Sequence, residues 1–294
     1  MPEAPEVETL NQELYEILVN TNSFSINDFT FVKGKYKDNP PSLMKRFIKD
    51  IKKDKYVISD VTRRGKILSF EFKRTSRNNS NASETWWICC TMGLNGMFRF
   101  NGDKVLDTYD KYPTDNKSYK NIHATFELDS DKTLDFYDTR GFGTTFNFFN
   151  EVNNYVNYLY KVAIDLYDEE FTFEVFNKNI EIVKKKIKKD KAICSILLNQ
   201  SSICSGIGNY LKCEILYDAK FHPEKMLSSF TNEDFRTLYY SIKKVSKMHL
   251  ESSGKNLSKI NVYMRNLDRK SNIVESSITS DKRTSYYVNS IQKK

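Results

Sequence analysis

Leu197-Leu198-Asn199-Gln200 and, after residues 201–205, Gly206-Ile207-Gly208-Asn209-Tyr210-Leu211-Lys212-Cys213-Glu214-Ile215-Leu216 form the stretch on which the fold turns. By itself it reads as a helix, a turn and a second helix, because paired glycines permit a tight turn closed to other residues. Long helical patterns surround it, from about residue 171 to 250, and the basic run 184–191, interrupted by Ile187, fits an amphipathic helix better than a disordered tail. Toward the amino terminus the pattern changes. Short β-rich runs at 55–61, 66–72, 85–91, 124–128 and 134–137, separated by turn signals, follow an opening helix and predict a sheet-rich first domain. The Asn- and Tyr-rich segment 150–161 is the natural connection between the two parts. From residue 252 the chain turns polar, then ends in alternating strand-like residues at 284–288. We find no internal repeat. These patterns predict an α+β protein with a sheet-rich domain over 1–148, a linker at 149–164, a helical domain at 165–251 and a small strand-bearing element at 252–294.

Bulk properties narrow the partner. The chain has 294 residues, 46 Lys and Arg against 38 Asp and Glu, a net charge of +8 and a pI near 9.0, which favours a polyanionic partner without naming one. Its 39% hydrophobic and 29% charged residues are those of a soluble globular protein. The odd set Cys89, Cys90, Cys194, Cys204 and Cys213 contains no C-x-x-C pair, which points to a reducing, intracellular compartment. Acidic residues stand where a signal peptide needs basic ones, and no apolar run approaches the ~20 residues that span a bilayer. Neither secretion nor a membrane span is expected.

The unusual chemistry lies in Met1-Pro2-Glu3-Ala4-Pro5-Glu6-Val7-Glu8-Thr9-Leu10. A small second residue permits removal of Met1, and an α-amino group, titrating near pH ~8, is partly unprotonated and nucleophilic at neutral pH. As a secondary amine, Pro2 would form a permanently cationic iminium on attacking a sugar C1′, and that cation permits elimination of the 3′ phosphate. Helical spacing places Glu3, Val7, Leu10, Leu14 and Leu18 on one face, with Glu3 toward the exposed end of the buried stripe. In a partly dry pocket its pKa would rise and let it act as a general acid. These ten residues serve equally well as an ordinary helix start, since Pro and Glu both favour a first turn.

The opening resembles the M-P-E-x-P-E-V-E-T start of the formamidopyrimidine-DNA glycosylase and endonuclease VIII family, and further blocks follow in the family's order. Arg63-Arg64-Gly65-Lys66-Ile67-Leu68 resembles its R-x-G-K-x-L, which implies that Lys66 reaches the phosphate and deoxyribose beside the lesion. Gly93-Leu94-Asn95-Gly96 resembles the G-M-S-G turn, with Leu94 as the apolar wedge that fills the space of an extruded base. Asp138-Thr139-Arg140-Gly141-Phe142-Gly143 resembles D-x-R-R-F-G, the loop whose arginine and phenylalanine enter the duplex; Arg140 and Phe142 match, while Gly141 replaces the second arginine. The stretch quoted first resembles the helix-two-turns-helix element. There the glycine turn at Gly206 and Gly208 leaves amides at the next helix start to bind phosphate, Asn209 adds a side-chain donor, and the 201–205 spacer is one residue longer than usual.

Val262-Tyr263-Met264-Arg265 and Arg283-Thr284-Ser285-Tyr286-Tyr287-Val288-Asn289-Ser290-Ile291-Gln292-Lys293 resemble the two ends of the family's zinc finger. Val288 and Ile291 stand at the cysteine positions, and no cysteine follows Cys213, so a four-ligand zinc site cannot be built. Arg283 remains as a phosphate-gripping cation. The combination resembles the zincless finger of the endonuclease VIII-like 1 type, in a divergent member such as a viral one, with Tyr286, Tyr287, Val288 and Ile291 packing in place of metal.

The resemblance implies an N-terminal two-layer β-sandwich with flanking helices, a helical helix-two-turns-helix domain with an antiparallel β zincless finger, and a monomeric, cofactor-free and metal-free bifunctional DNA glycosylase/AP lyase of base excision repair. Pro2, Glu3 and Lys66 would be its catalytic residues, and Glu6 either organises the pocket or is a structural N-terminal carboxylate. The partners implied are damaged duplex DNA and single-stranded DNA, and the lesions are oxidised pyrimidines, ring-opened purines and hydantoins. The competing reading is a damaged-DNA-binding protein that has lost its chemistry.

Overall fold

The computed structural model describes residues 2–21, 23–75, 83–93, 96–105, 121–138, 146–252 and 260–294. It is an α+β protein whose chain divides into two compact units, Met1–Pro2 with Val7–Leu159, and Glu3–Glu6 with Tyr160–Lys294.

The chain opens with α1 (Ala4–Tyr15), continued by a π-helical turn at Glu16–Asn20. Val7, Leu10, Leu14 and Leu18 are all buried, as their helical spacing requires. Then come β1 (Ser25–Phe31), the short α2 (Lys35–Asp38) and α3 (Ser42–Ile51), which starts directly after Pro41 and buries Met44, Phe47 and Ile51. The sheet is completed by β2 (Tyr56–Arg64), β3 (Ile67–Arg74), β4 (Thr85–Thr91), β5 (Gly96–Phe100), β6 (Asp103–Lys104), β7 (Ile122–Leu128), β8 (Thr133–Asp138) and β9 (Asn147–Phe149). The β-rich runs expected from sequence are β2, β3, β4, β7 and β8. Strand β1 escaped notice because Asn27-Asp28, both poor strand formers, interrupt its apolar residues.

Among the described residues the strands pair antiparallel in the order β6-β5-β8-β7-β1-β2-β3-β4-β9. The middle link is short: β1 meets β2 only at Ser25↔Val57 and Ile26↔Tyr56. There the sheet folds over, so that rings from strands that are not neighbours meet across the core. Phe72 of β3 stacks on Phe126 of β7 with centroids 6.4 Å apart, Phe70 meets Phe98 of β5 at 5.5 Å, and Phe29 of β1 meets Phe148 of β9 at 5.4 Å. A two-layer sandwich with a largely aromatic core results. The segment expected as a bare connection instead forms α4 (Val152–Leu159), whose Tyr155 stacks on Trp87 at 5.0 Å.

The second unit contains α5 (Phe173–Lys186), α6 (Ile193–Leu198), α7 (Asn209–Asp218), α8 (Asn232–Glu251) and a hairpin of β10 (Glu275–Ile278) and β11 (Thr284–Tyr287). Thr172 caps α5, and Thr231 with Asp234 makes a capping box at the start of α8. Apolar stripes, Phe176-Ile180-Val183 on α5 and Phe235-Leu238-Ile242-Val245 on α8, join one core with α6 and α7. Helix α7 is buried along most of its length, Leu211 to Leu216 inclusive. Lys184, Lys185 and Lys186 occupy the last turn of α5, where cations suit the negative end of the helix. Among the described residues no helix is long and apolar enough to cross a membrane.

Candidate active site

Helix α7 begins at Gly208 with no side chain of its own neighbourhood to cap it. Glu3 does so instead, across 205 residues of sequence: its Oε2 accepts from the Gly208 amide at 2.7 Å and the Leu211 amide at 3.1 Å, and its Oε1 from the Tyr210 amide at 2.9 Å. Three N–H donors at the positive end of a helix match an acceptor-only carboxylate. The side chain expected at the exposed end of a stripe is in fact 2% exposed. Both glycines of the turn are shaped by this seat. A Cβ on Gly208 would fall on the Glu3 carboxyl itself. At Gly206, with φ +108°, a Cβ would come within 2.7 Å of the Ala4 methyl, while the Gly206 carbonyl accepts from the Ala4 amide at 3.0 Å. Gln200 sews the turn shut: its Oε1 accepts from the Gly206 amide and its Nε2 donates to the Ile207 carbonyl, each at 2.8 Å. The two glycine amides expected to face a phosphate are therefore committed within the protein.

Glu6, one turn further along α1, accepts from the Glu3 amide through Oε2 at 2.9 Å and from the Tyr210 hydroxyl through Oε1 at 2.8 Å. Burial and the adjacent Glu3 charge push Glu6 up to about 7. Burial and the Glu6 charge push the Tyr210 hydroxyl well above its ordinary value, so it remains the donor. Glu6 is thus poised to exchange a proton near neutrality.

In the first unit, Pro2 is buried and Lys66 lies half-buried on the turn between β2 and β3, beside Gly65 at φ +60°. Arg63 ties this turn down by pairing through Nε with Glu8 of α1 and donating Nη1 to the Gly65 carbonyl at 3.2 Å. Leu94, Arg140 and Phe142 lie outside the described residues. Gly96 of β5 pairs in register with Asp138 of β8.

In the second unit, α7 also carries the C-terminal hairpin. Asn209 donates Nδ2 to the Thr284 carbonyl at 2.9 Å, which sets it beside the exposed Arg283. Glu214, 1% exposed, receives four hydrogen bonds of 2.8–3.0 Å, from the amides of Asn261, Val262 and Tyr263 and from Asn261 Nδ2. Cys213, Val262 and Val288 form a small core against which Tyr263, Val274, Tyr286 and Ile291 pack. Burial pushes the Cys213 thiol up to about 12. Tyr287 turns the other way and meets the His222 ring edge-on at 4.5 Å. The apolar, packed residues at 288 and 291 do not fit a zinc ion. Among the described residues no group of three or more His, Cys, Asp or Glu could hold a metal.

Two family models match this chain: the formamidopyrimidine-DNA glycosylase N-terminal domain over residues 1–145 and the formamidopyrimidine-DNA glycosylase H2TH domain over residues 162–261. This chain belongs to the formamidopyrimidine-DNA glycosylase family. It is 28% identical over 258 residues to the formamidopyrimidine-DNA glycosylase of Shouchella clausii, covering 87% of this chain and 80% of that one. With the Rickettsia felis glycosylase it shares 27% over 257 residues, covering 87% and 80%. In fold it is similar to Lactococcus lactis Fpg solved with abasic-site DNA, with a TM-score of 0.74 and 21% identity over 99% of this chain and 100% of that one. It is also similar to MutM solved with carbocyclic 8-oxo-G DNA, at TM-score 0.75 and 22% identity over the whole of both chains. As a member of the formamidopyrimidine-DNA glycosylase family the chain is an enzyme, a DNA glycosylase with AP lyase activity.

Within this family framework, sequence reasoning missed Gln200, Tyr210, Lys212 and Glu214. None stands out by residue type, since each sits in an otherwise helical or turn-like string. The only signal was indirect: charged Lys212 and Glu214 interrupt a run that helical packing buries on nearly every side.

Proposed function

We propose that the enzyme removes damaged bases from DNA through a covalent intermediate on Pro2, its amine freed by removal of Met1. The observation that carries this reading is the Glu3 seat: the carboxylate next to Pro2 is held by three amides in a place where Gly208 has no room for a side chain. Pinning residue 3 so tightly restricts residue 2, as positioning of a nucleophile demands.

The Pro2 nitrogen attacks C1′, the glycosidic bond breaks and the base leaves with the bonding pair and a proton. Opening of the sugar leaves an iminium between Pro2 and C1′. Loss of a C2′ proton expels the 3′ phosphate, a second elimination expels the 5′ phosphate, and water releases the amine, leaving a one-nucleotide gap. Glu3 handles the protons at the sugar, with Glu6 as a proton-exchanging neighbour. Lys66 in the first unit and Asn209 and Arg283 in the second contact phosphate. Leu94, Arg140 and Phe142 fill the gap left by the extruded nucleotide. Gly206 and Gly208 serve by shaping the turn behind Glu3. The packed hairpin acts as a zincless finger of the endonuclease VIII-like 1 type. The lesions are oxidised pyrimidines, ring-opened purines and hydantoins in duplex or single-stranded DNA, and the enzyme acts as a monomer.

Incubation with lesion-containing DNA and borohydride tests this. A covalent adduct that maps to Pro2 is expected. Protein whose proline terminus is verified by mass spectrometry, yet yields no adduct, rules out the covalent route, and binding without base release favours a damaged-DNA-binding protein instead.

A further inference from the structure

A deeply buried ion pair joins Lys212 of α7, its side chain 0% exposed, to Asp281 in the β10–β11 turn, its side chain 3% exposed. Stability alone is a poor reason to bury such a pair, because stripping water from two charges costs about as much as their attraction returns. Its geometry suggests another purpose. While Asp281 Oδ2 takes the Lys212 ammonium, Oδ1 accepts from the Arg283 backbone amide at 3.0 Å and the Thr279 hydroxyl at 2.8 Å. The Thr279 amide in turn donates to the Arg283 carbonyl at 3.0 Å, so the carboxylate closes the turn from which Arg283 projects. Burial works against the Asp281 charge, but the Lys212 and Thr279 hydrogen bonds outweigh it and hold the carboxyl below its ordinary range.

The rest of the attachment is aligned with this pair. Asn209, Lys212 and Cys213 stand at i, i+3 and i+4 on one face of α7 and meet the Thr284 carbonyl, Asp281 and the Tyr286 amide in turn. From the other side Glu224 accepts from the Ser280 amide at 2.6 Å. We propose that Lys212 and Asp281 are positioning residues that lock the hairpin turn to α7 and thereby aim Arg283 at DNA. The helix that seats Glu3 at its start would then hold Arg283 on its side, so that one rigid element sets both. This inference rests on the reading of Arg283 as a phosphate contact.

The test is binding of a duplex bearing a non-cleavable tetrahydrofuran abasic analogue, titrated across salt concentrations. Arg283→Ala should weaken binding ~10-fold and reduce the log–log salt slope by about 1, as loss of one phosphate contact does. The double variant Lys212→Met/Asp281→Asn leaves net charge unchanged, so any change in its salt slope cannot come from bulk electrostatics. It should reproduce both effects, and adding Arg283→Ala to it should cost nothing more. If Arg283→Ala weakens binding but the folded double variant binds like wild type, or if the losses multiply, the positioning role is wrong. If Arg283→Ala itself leaves affinity and slope unchanged, the phosphate reading falls, and the positioning role with it. Hydrogen exchange on the wild-type protein provides a check independent of whether the variant folds. The Thr279 and Arg283 amides should be protected like those of α7, and free exchange at 279–283 would overturn the clamp.

Discussion

The core of the first unit is largely aromatic, whereas helix α7 in the second is surrounded by buried charge. In the first, Phe29, Phe47, Phe70, Phe72, Phe98, Phe126 and Phe136 meet at ring distances of about 4.7–6.5 Å with no polar partner required. In the second, Glu3, Lys212 and Glu214 are buried around a single helix, each in a named set of hydrogen bonds. The difference is one of direction. Ring contacts are nearly indifferent to small rotations, so an aromatic core supplies cohesion and tolerates change of shape. A carboxylate on three amides loses its bonds within a fraction of an ångström, so it supplies position. The first unit is built to be stable and α7 to be accurate.

The strongest way to break this contrast is Gly208→Ala. The new methyl would occupy the place of the Glu3 carboxyl, and we expect single-turnover excision to fall ~100-fold, the scale on which misplacing a reacting group is felt. Retention of near wild-type rates would show that the seat has no bearing on the chemistry. Next is Glu214→Ala, which strands the buried Val262 amide and the part-buried amides of Asn261 and Tyr263 and should lower stability by about 3 kcal/mol in urea unfolding. A loss under ~1 kcal/mol would mean that water or the backbone re-forms those bonds at once.

Phe72→Leu tests the other side of the comparison. It should cost only about 1–1.5 kcal/mol in the same assay and leave the excision rate unchanged; a rate defect at full folding would show that the aromatic core also sets the site. The last test is a pH dependence. With an ordinary value of 4.5 raised to about 7, Glu6 keeps its proton in the folded protein where the unfolded chain has released it. Stability should therefore fall as pH rises from about 4.5 to about 7. In Glu6→Gln this contribution is absent, so the wild type should lose ground to the variant across that window and run parallel outside it. Parallel curves throughout would mean that Glu6 is ionised like an exposed carboxylate.

Much of this was readable beforehand, and the reasons differ by region. Strands β2, β3, β4, β7 and β8 announced themselves as short runs rich in β-branched and aromatic residues bounded by turn signals. The helices of the second unit did so because their stripes and caps are local. The loss of the cysteine positions at Val288 and Ile291 was plain from residue type. Strand β1 was not legible, for Asn27-Asp28 are poor strand formers in its middle, nor was α4, whose Asn-rich string is a poor helix former held by Trp87 and Phe149. The opening decapeptide was ambiguous, because a helix start and a catalytic terminus need the same residues.

By itself the sequence determined which elements form, since periodicity, capping and side-chain volume act over a few residues, and it determined that glycines stand at 206 and 208. Why they are glycines was decided only by the tertiary structure, which brings Glu3 and Ala4 into the space their side chains would fill. Which carboxyl holds the amides and which is left near neutrality was decided there too. Hydrogen bonding and desolvation depend on neighbours about 205 residues away, and no local pattern of residues encodes them.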